Sequence, residues 1–342
     1  MDRKKIIWAV ISLLLAGLTV YAITSRSQEF SLTMLCQFVV EAKKGWLVLA
    51  VISMFGFIFF EGMALVRVGK RLGYSRSVQE GIEYGAADVY FSAITPSATG
   101  GQPASAYFML KDKMPGSAVT ASLLINLVMY TAALLTLGAC AMVFGFPVFL
   151  KFSLVSRAFI GVGCLVLLGF GIMFYLLLRK AELLERIANW FLHLLERMHM
   201  VRRAKKRREK LEHAMQEFGE CSKIILGKGH ILLELFFWNV MQRLSQLAVS
   251  MFLFLATGRD MRDALHVLTI QCFVALGSNC APIPGAMGVA DYMMIDGLRQ
   301  VLGKSEVVNM ELLCRGVTFY GSVVCGLVIV VIGYIRRKVK ER

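Results

Sequence analysis

The chain has 342 residues, 57% of them hydrophobic, and a formal net charge of +15 at pH 7. Its mean hydropathy of +0.64 excludes an ordinary soluble domain, and several stretches exceed the roughly 18 apolar residues that indicate a membrane span. Most of its 38 lysine and arginine residues fall on one side of the resulting topology. This positive-inside pattern accounts for the charge without any nucleic acid.

The apolar stretches that predict membrane spans are residues 6–24, 45–66, 117–144, 158–178, 230–257 and 310–335. The first follows a charged start, but its apolar run is long and no small-residue cleavage site follows. It therefore indicates a retained anchor helix rather than a signal peptide. With the N-terminus in the cytoplasm, this even number of spans predicts a multi-pass protein of the cell (plasma) membrane with both termini cytoplasmic.

Two connections between these spans, residues 74–113 and 258–309, are too apolar for solvated loops. Each contains prolines and glycines, which interrupt helices. Each is predicted to enter the membrane as a broken helical hairpin and to return. Because the two connections start on opposite sides, a span–hairpin–span unit occurs twice in opposite orientations, and inverted repeats of this kind are typical of transporters.

The predicted fold class is an all-α polytopic membrane protein with about six full spans and two re-entrant or broken helical hairpins in an inverted repeat. The predicted segments are an N-terminal anchor helix and outer loop (1–44), a first repeat (45–144), a linking span with a basic amphipathic cytoplasmic segment (145–229), a second, inverted repeat (230–335) and a basic cytoplasmic tail (336–342).

The two breaks are the first candidate site. Irregular backbone at membrane depth is tolerated only where protein or a water-filled cavity satisfies it. Freed N–H groups and hydroxyls at a broken helix end would suit an anionic headgroup; the alternative is that these residues only shape two turns. The predicted substrate-binding residues here are Thr95, Pro96, Ser97, Thr99, Gly100, Gly101 and Gln102, followed by Pro282, Pro284, Gly285 and Gly288.

Polar residues inside spans are costly and therefore indicate function. Arg243 and Arg315 offer planar forks of donors to a lipid phosphate. They are predicted to bind substrate together with Asn126 and Asp291. The alternative for each arginine is an internal ion pair that fixes packing, for instance with Glu234 or Asp291.

Acidic residues near the breaks are candidates for driving transport. Glu83 and Asp88 precede the first break and are predicted to hold a coupling proton or cation. The same role is predicted for Asp291, which follows the second break. The alternative is that they are helix-surface charges at the mouth of a hairpin. Glu61, near the cytoplasmic end of its span, is predicted to face water.

Catalytic templates are absent from the sequence. It has no phosphate-binding loop with a lysine, no Gly-x-Ser-x-Gly elbow and no paired Cys/His metal set. The eight cysteines form no Cys-x-x-Cys pair and are interpreted as small buried hydrophobes. We therefore predict no enzyme, no catalytic residue, no cofactor and no metal. The predicted partners are membrane lipids with anionic headgroups and no nucleic acid, and a homo-oligomer is left open.

The stretches "TPSATGGQPASAY" and "PIPGAMGVADY", each before a membrane helix, resemble the paired motifs of the lysylphosphatidylglycerol synthase transmembrane-region family. That flippase-like family includes the flippase domain of the multiple peptide resistance factor, and the resemblance covers residues 1–335. It implies a polyhelical fold with broken helices and a role in moving lipids between leaflets. The soluble aminoacyl-transferase domain of that factor has no counterpart here, and Asn126 stands where an arginine matching Arg315 is expected.

The sequence therefore predicts a flippase or scramblase-like transporter. It would move a phospholipid, glycolipid or related lipid between leaflets through a groove lined by the two hairpins, without ATP hydrolysis. The alternative is a membrane-embedded enzyme or an accessory subunit of lipid or cell-envelope polysaccharide synthesis. The enzyme hypothesis predicts acids or histidines at one bilayer depth around an open cavity. The transporter hypothesis predicts a cavity that is open to one leaflet and has approximate twofold symmetry.

Overall fold

A computed structural model of the protein describes residues 38–180, 204–279 and 281–340, together with Glu182, Arg186 and Trp190. Within these residues every regular element is helical, which confirms the predicted all-α class. The helices are α1 (Lys44–Arg71), α2 (Val78–Ile94), α3 (Gly101–Lys111), α4 (Gly116–Phe144), α5 (Phe146–Lys151), α6 (Leu154–Arg179), α7 (Ala204–Leu226), α8 (Gly229–Ala256), α9 (Met261–Ser278), α10 (Val289–Leu298), α11 (Lys304–Arg315) and α12 (Ser322–Lys340).

Four helices are long and apolar enough to cross a membrane: Lys44–Arg71, Gly116–Phe144, Leu154–Arg179 and Glu306–Val339. The last joins α11 and α12 through a π-helical segment, Gly316–Gly321. A fifth candidate combines α8 with the end of α7, Met215–Leu226, and these two helices are bent by 87°. The described residues thus hold four or five of the six predicted spans, and the predicted span at 6–24 lies outside them.

The chain breaks where the prolines predict. A capping box begins α2, in which Ser77 Oγ accepts from the Glu80 amide at 3.2 Å and Glu80 Oε2 accepts from the Ser77 amide at 2.8 Å. The helix ends at Ile94, two residues before Pro96, since the residue preceding a proline is disfavoured in helical conformation. The second break ends where the Gly288 amide donates to Asp291 Oδ2 at 2.8 Å, at the start of α10.

Two helical hairpins result. In one, α2 packs against α3 across the first break (residues 95–100); in the other, α9 packs against α10 across the second break (residues 281–288), and the two breaks contact each other. Both breaks contain a short 3₁₀ turn that starts at a proline. Each turn places an alanine at positive φ, with Ala98 at 54° and Ala286 at 51°. The inverted relation of the hairpins and their entry into a membrane stay predictions.

Small residues bring α2 close to its neighbours. A Cβ added at Gly62 of α1 would lie 1.9 Å from the Gly81 carbonyl oxygen, and one added at Gly85 would lie 2.4 Å from the Ile58 carbonyl oxygen. On the other side of α2, a Cβ at Gly333 of α12 would lie 2.8 Å from the Glu83 carboxyl carbon. Close approach through small residues is a common means of helix association in membranes. It encloses the side chains of Glu61 and Glu83 between helices.

Apolar cores fix the rest of the bundle. The largest includes the buried rings of Phe254 in α8 and Phe273 in α9. A second, around Met109, joins α1, α2 and α3. A third packs Phe218 and Ile225 of α7 into the bundle, so the end of this helix is anchored although its start is strongly basic.

Candidate functional site

The hydroxyl groups of the first break close the turn. Thr95 Oγ1 donates to the Phe91 carbonyl oxygen at 2.6 Å and accepts from the Gly100 amide at 2.8 Å. Thr99 Oγ1 donates to the Pro96 carbonyl oxygen at 3.0 Å. These hydroxyls therefore satisfy backbone groups inside the turn, as the turn-shaping alternative requires. Their role toward a lipid stays a prediction, and the side chain of Ser97 lies outside the described residues.

The glycine pair of the first break is held against α2. A Cβ added at Gly101 would lie 2.1 Å from Ser92 Oγ and 2.6 Å from Asp88 Oδ1. The next residue, Gln102, donates from Nε2 to Asp88 Oδ1 at 3.4 Å. Asp88 therefore borders the break, and the absence of a side chain at Gly101 is what allows this approach.

The second break is held by Arg315. Its Nε donates to Asp291 Oδ1, and its Nη1 donates to the Gly285 carbonyl oxygen at 3.2 Å. Gly285 has φ of +59°, and a Cβ there would lie 2.2 Å from the Phe319 ring. The internal ion pair with Asp291, one of the two alternatives for Arg315, is thus present, and Asp291 also caps α10. Pro282 is exposed at this break, Pro284 begins its 3₁₀ turn and Gly288 has φ of +85°.

Glu61 lies in the interior of the bundle. It is only 2% exposed, so the prediction that it faces water is wrong. The packing of α1 against α2 and α8 covers this part of the helix. Asn126 Nδ2 donates to Glu61 Oε1 at 2.7 Å, and Asn239 Nδ2 donates to Asn126 Oδ1 at 3.0 Å. An acid and two amides thus form a buried chain across α1, α4 and α8.

Arg243 supplies the positive charge beside this chain. Its guanidinium stacks at 3.8 Å on the Tyr130 ring and donates from Nη1 to Gln246. Its charge acts on both Glu61 and Asp88. We name the buried residues Glu61, Asn126, Asn239 and Arg243, together with the half-buried Asp88, the buried polar cluster. Glu234, one suggested partner of Arg243, instead pairs with Arg67 and Arg71.

Glu83 belongs to a different cluster, at the end of α12. Arg336 Nη2 donates to Glu83 Oε2 at 2.9 Å, Arg337 Nη1 donates to the same oxygen, and Arg337 Nε donates to Asp112 Oδ1 at 2.8 Å. We name Glu83, Asp112, Arg336 and Arg337 the terminal ion-pair cluster. Glu83 is 2% exposed, so it is no helix-surface charge. Two guanidinium groups donate to its carboxyl group, and its predicted part in coupling stays a prediction.

Asp112 connects this cluster to α2. Tyr84 Oη donates to Asp112 Oδ2 at 2.6 Å. Burial alone would raise the pKa of Asp112, but hydrogen bonds from Arg337 and Tyr84 outweigh this effect and hold the pKa below its ordinary value. Asp112 is therefore a bound carboxylate that joins the loop after α3 to the end of α12.

The sequence matches the family model described as the lysylphosphatidylglycerol synthase TM region over residues 6–326. The chain belongs to this family. A search of curated proteins found no match. Membership in the lysylphosphatidylglycerol synthase TM region family confirms the resemblance that the two motifs indicated. Together with the apolar helices, it identifies a multi-pass membrane protein and suggests a role in lipid or envelope biosynthesis or in flipping.

In this member of the lysylphosphatidylglycerol synthase TM region family, the two motifs form the two breaks that meet. A shallow depression of about 360 Å³ lies elsewhere, at the start of α1, and is lined by Lys43, Gly45, Trp46 and Leu49. None of these residues belongs to either break. The predicted groove between the hairpins stays a prediction.

Sequence reasoning missed several residues of both clusters, among them Asn239. It lies four positions before the predicted Arg243 on α8 and so shares one helix face with it; this pattern could have linked them. Arg336 was placed in a cytoplasmic tail, yet it extends α12 and binds Glu83, which lies 253 positions earlier. No local pattern signals a pair so distant in sequence.

Proposed function

We propose that this protein moves a phospholipid, glycolipid or related lipid between the two leaflets of the plasma membrane, as a flippase or scramblase and not as an enzyme. The observation that carries the proposal is the contact between the two breaks inside a bundle of apolar helices. A headgroup that crosses hydrocarbon needs polar partners on its way. Broken helices offer them at membrane depth without exposing backbone to lipid tails.

Arg315 is the residue best placed to meet an anionic headgroup. It already donates to Asp291 and to the Gly285 carbonyl oxygen, so it is fixed at the second break. Its Nη2 is buried and makes no hydrogen bond within the described part of the chain. A phosphate oxygen that reached this nitrogen would receive a charge-assisted hydrogen bond, which is stronger than one between neutral groups.

The proposed orientation places both termini in the cytoplasm, because most lysines and arginines then lie inside. Single cysteines introduced on a Cys-free background test it. One near Lys111 should react with a membrane-impermeant reagent from the cytoplasmic side, and one near Arg259 from the outer side. Labelling of both positions from one side would rule out hairpins of opposite entry.

Lipid movement is tested by reconstitution into proteoliposomes that contain a fluorescent anionic phospholipid, with an impermeant quencher added outside. We expect the parent protein to expose inner-leaflet lipid to the quencher faster than protein-free vesicles do. Gly101→Ala should slow this movement, because its Cβ would meet Ser92 and Asp88. Gly116→Ala is the matched control, since no atom lies within 4 Å of a Cβ added there.

Arg315→Lys separates headgroup binding from packing. Lysine retains the charge but lacks the planar fork of donors. We expect slower movement of the anionic lipid at an unchanged unfolding temperature. A loss of stability in step with activity would make Arg315 a structural ion-pair residue only. A parent protein no faster than protein-free vesicles would refute the proposed function.

A further inference from the structure

The buried polar cluster holds more acid than base. Glu61 and Asp88 carry two negative charges when both are ionised, against the one positive charge of Arg243. Glu61 is 2% exposed and Arg243 is 6% exposed, whereas Asp88 is half-buried. An uncompensated charge in such surroundings costs several kcal/mol. The cluster is neutral only when one of the two carboxylates carries a proton.

Other charged groups on the surrounding helices do not supply the missing positive charge. The charged groups that act on Asp88 are Glu61 and Arg243, and the one that acts on Glu61 is Arg243. Polar side chains that contact the cluster are uncharged: Gln102 donates to Asp88, Gln246 accepts from Arg243, and the ring of Tyr130 lies against Arg243. The nearby arginines pair elsewhere: Arg67 and Arg71 with Glu234, Arg336 and Arg337 with Glu83, and Arg315 with Asp291.

The hydrogen bonds of the cluster also favour an additional donor. Asn239 is fully buried, and it donates to Asn126 and to the Leu235 carbonyl oxygen. Its own Oδ1 accepts no hydrogen bond within the described part of the chain. A carboxylate only accepts hydrogen bonds, whereas a protonated carboxyl also donates one. One bound proton therefore improves the charge balance of the cluster and adds a donor to a set that is rich in acceptors.

We propose that Glu61 and Asp88 together bind one exchangeable proton beside Arg243, and that its release from Asp88 couples proton flow to lipid movement. In this step the O–H bond of the carboxylic acid breaks, the proton passes to water and the electron pair stays on the carboxylate. The coupling rests on the proposed function, whereas the proton site does not. A metal cation would be repelled by Arg243, while a proton needs only one carboxylate oxygen.

The position of Asp88 supplies the link to the first break. Its Oδ1 accepts from Gln102 and lies where a side chain at Gly101 would be. An ionised Asp88 accepts from the Gln102 amide nitrogen, whereas a protonated one presents a donor to the same side chain. The protonation state of Asp88 therefore acts on Gln102 at the start of α3, directly after the break that contacts the second break.

The proton site is tested on the purified full chain by infrared spectroscopy during a pH titration. A protonated carboxyl has a C=O stretching band that a carboxylate lacks. We expect the parent protein to show such a band and to lose it as the pH is raised. Glu61→Gln and Asp88→Asn should each remove or shift it. Glu83→Gln is the matched control, because Glu83 is equally buried but bound by two arginines, and the band should persist.

The coupling is tested in proteoliposomes with the fluorescent lipid under a pH gradient, or under a sodium gradient at equal pH. We expect only the pH gradient to accelerate lipid movement, and Asp88→Asn to lose this response. Absence of the band in the parent would overturn the proton site. A response to sodium alone, or lipid movement insensitive to the pH gradient, would overturn the coupling while the proposed function stands. A band without any lipid movement would support the proton site and refute the proposed function together with the coupling.

Discussion

The terminal ion-pair cluster and the buried polar cluster use the same kinds of side chain in different proportions. The first matches two carboxylates with two guanidinium groups, and Arg337 hydrogen-bonds to both acids. The second has two carboxylates for one guanidinium, and the hydrogen bonds of Arg243 go to an amide while its plane rests on a tyrosine ring.

This difference separates two uses of charge inside a helical bundle. A balanced set, in which each carboxyl group accepts from a guanidinium group, holds helices together. An unbalanced set can reach neutrality by taking up or releasing a proton. Burial alone does not distinguish the two, because Glu83 and Glu61 are both 2% exposed. The number and geometry of the positively charged partners distinguish the two clusters.

Removal of Arg337 should have the largest effect. Arg337→Ala leaves Glu83 with one guanidinium and removes the cation beside Asp112, and breaking a buried ion pair costs about 3–5 kcal/mol. We expect a clear fall in the unfolding temperature of the purified protein in detergent. Lys338→Ala, a change at the exposed neighbouring position, is the control. Equal unfolding temperatures for the two variants would show that the cluster does not stabilise the fold.

Neutral substitutions in the two clusters should differ. Glu83→Gln removes charge-assisted hydrogen bonds, each contributing about 1.5–3 kcal/mol, and should lower the unfolding temperature. Asp88→Asn resembles the protonated acid and should change stability by less than about 1 kcal/mol, since the cluster already holds excess negative charge. Parallel thermal unfolding of both variants measures this contrast. A larger fall in unfolding temperature for Asp88→Asn than for Glu83→Gln would mean that the buried polar cluster, and not the terminal ion-pair cluster, holds the helices together.

Acid should weaken the terminal ion-pair cluster through Asp112. Its folded pKa lies below the unfolded value of about 3.9. The resulting stabilisation is complete above the unfolded pKa and is lost as pH falls through the folded pKa. Unfolding temperatures across mildly to strongly acidic buffers should fall less steeply for Asp112→Asn than for the parent. Asp263→Asn, at a largely exposed acid, should follow the parent curve.

The smallest effect is expected at the Arg71–Glu234 pair. The Arg71 side chain is 41% exposed and that of Glu234 is 25% exposed. Exposed ion pairs contribute about 0.2–1 kcal/mol and are screened by salt. Arg71→Ala should therefore lower the unfolding temperature slightly at low ionic strength and hardly at all at high ionic strength. A fall in unfolding temperature as large as that of Arg337→Ala would mean that burial does not determine how much these ion pairs stabilise the fold.

The sequence predicted the features that depend on local chemistry. Prolines and glycines located both breaks, because Pro96 and Pro284 cannot continue a helix. Apolar length located the described spans, and the paired motifs identified the family. The Arg315–Asp291 pair was among the alternatives, since a charged residue inside a span is costly unless it is paired.

The features that depend on packing were not predictable. Glu61 was predicted to face water from its distance to the end of the span, but Gly62, Gly81 and Gly85 let α2 cover that face of α1. The contact of Glu83 with Arg336 and Arg337 joins distant parts of the chain, and no periodic pattern in the sequence indicates it. In both cases the missing information was which helices are neighbours.

The dependence of Glu83 on Arg336 and Arg337 has a consequence for biosynthesis. A ribosome that has completed α2 must still add more than two hundred residues before the guanidinium groups that neutralise Glu83 exist. Until then the first hairpin carries an unmatched acid. The first hairpin can therefore reach its final packing only after α12 has been synthesised. The last helix to emerge completes the contacts of the first hairpin. The translocation machinery then has to retain or shelter α2 while the intervening helices are inserted.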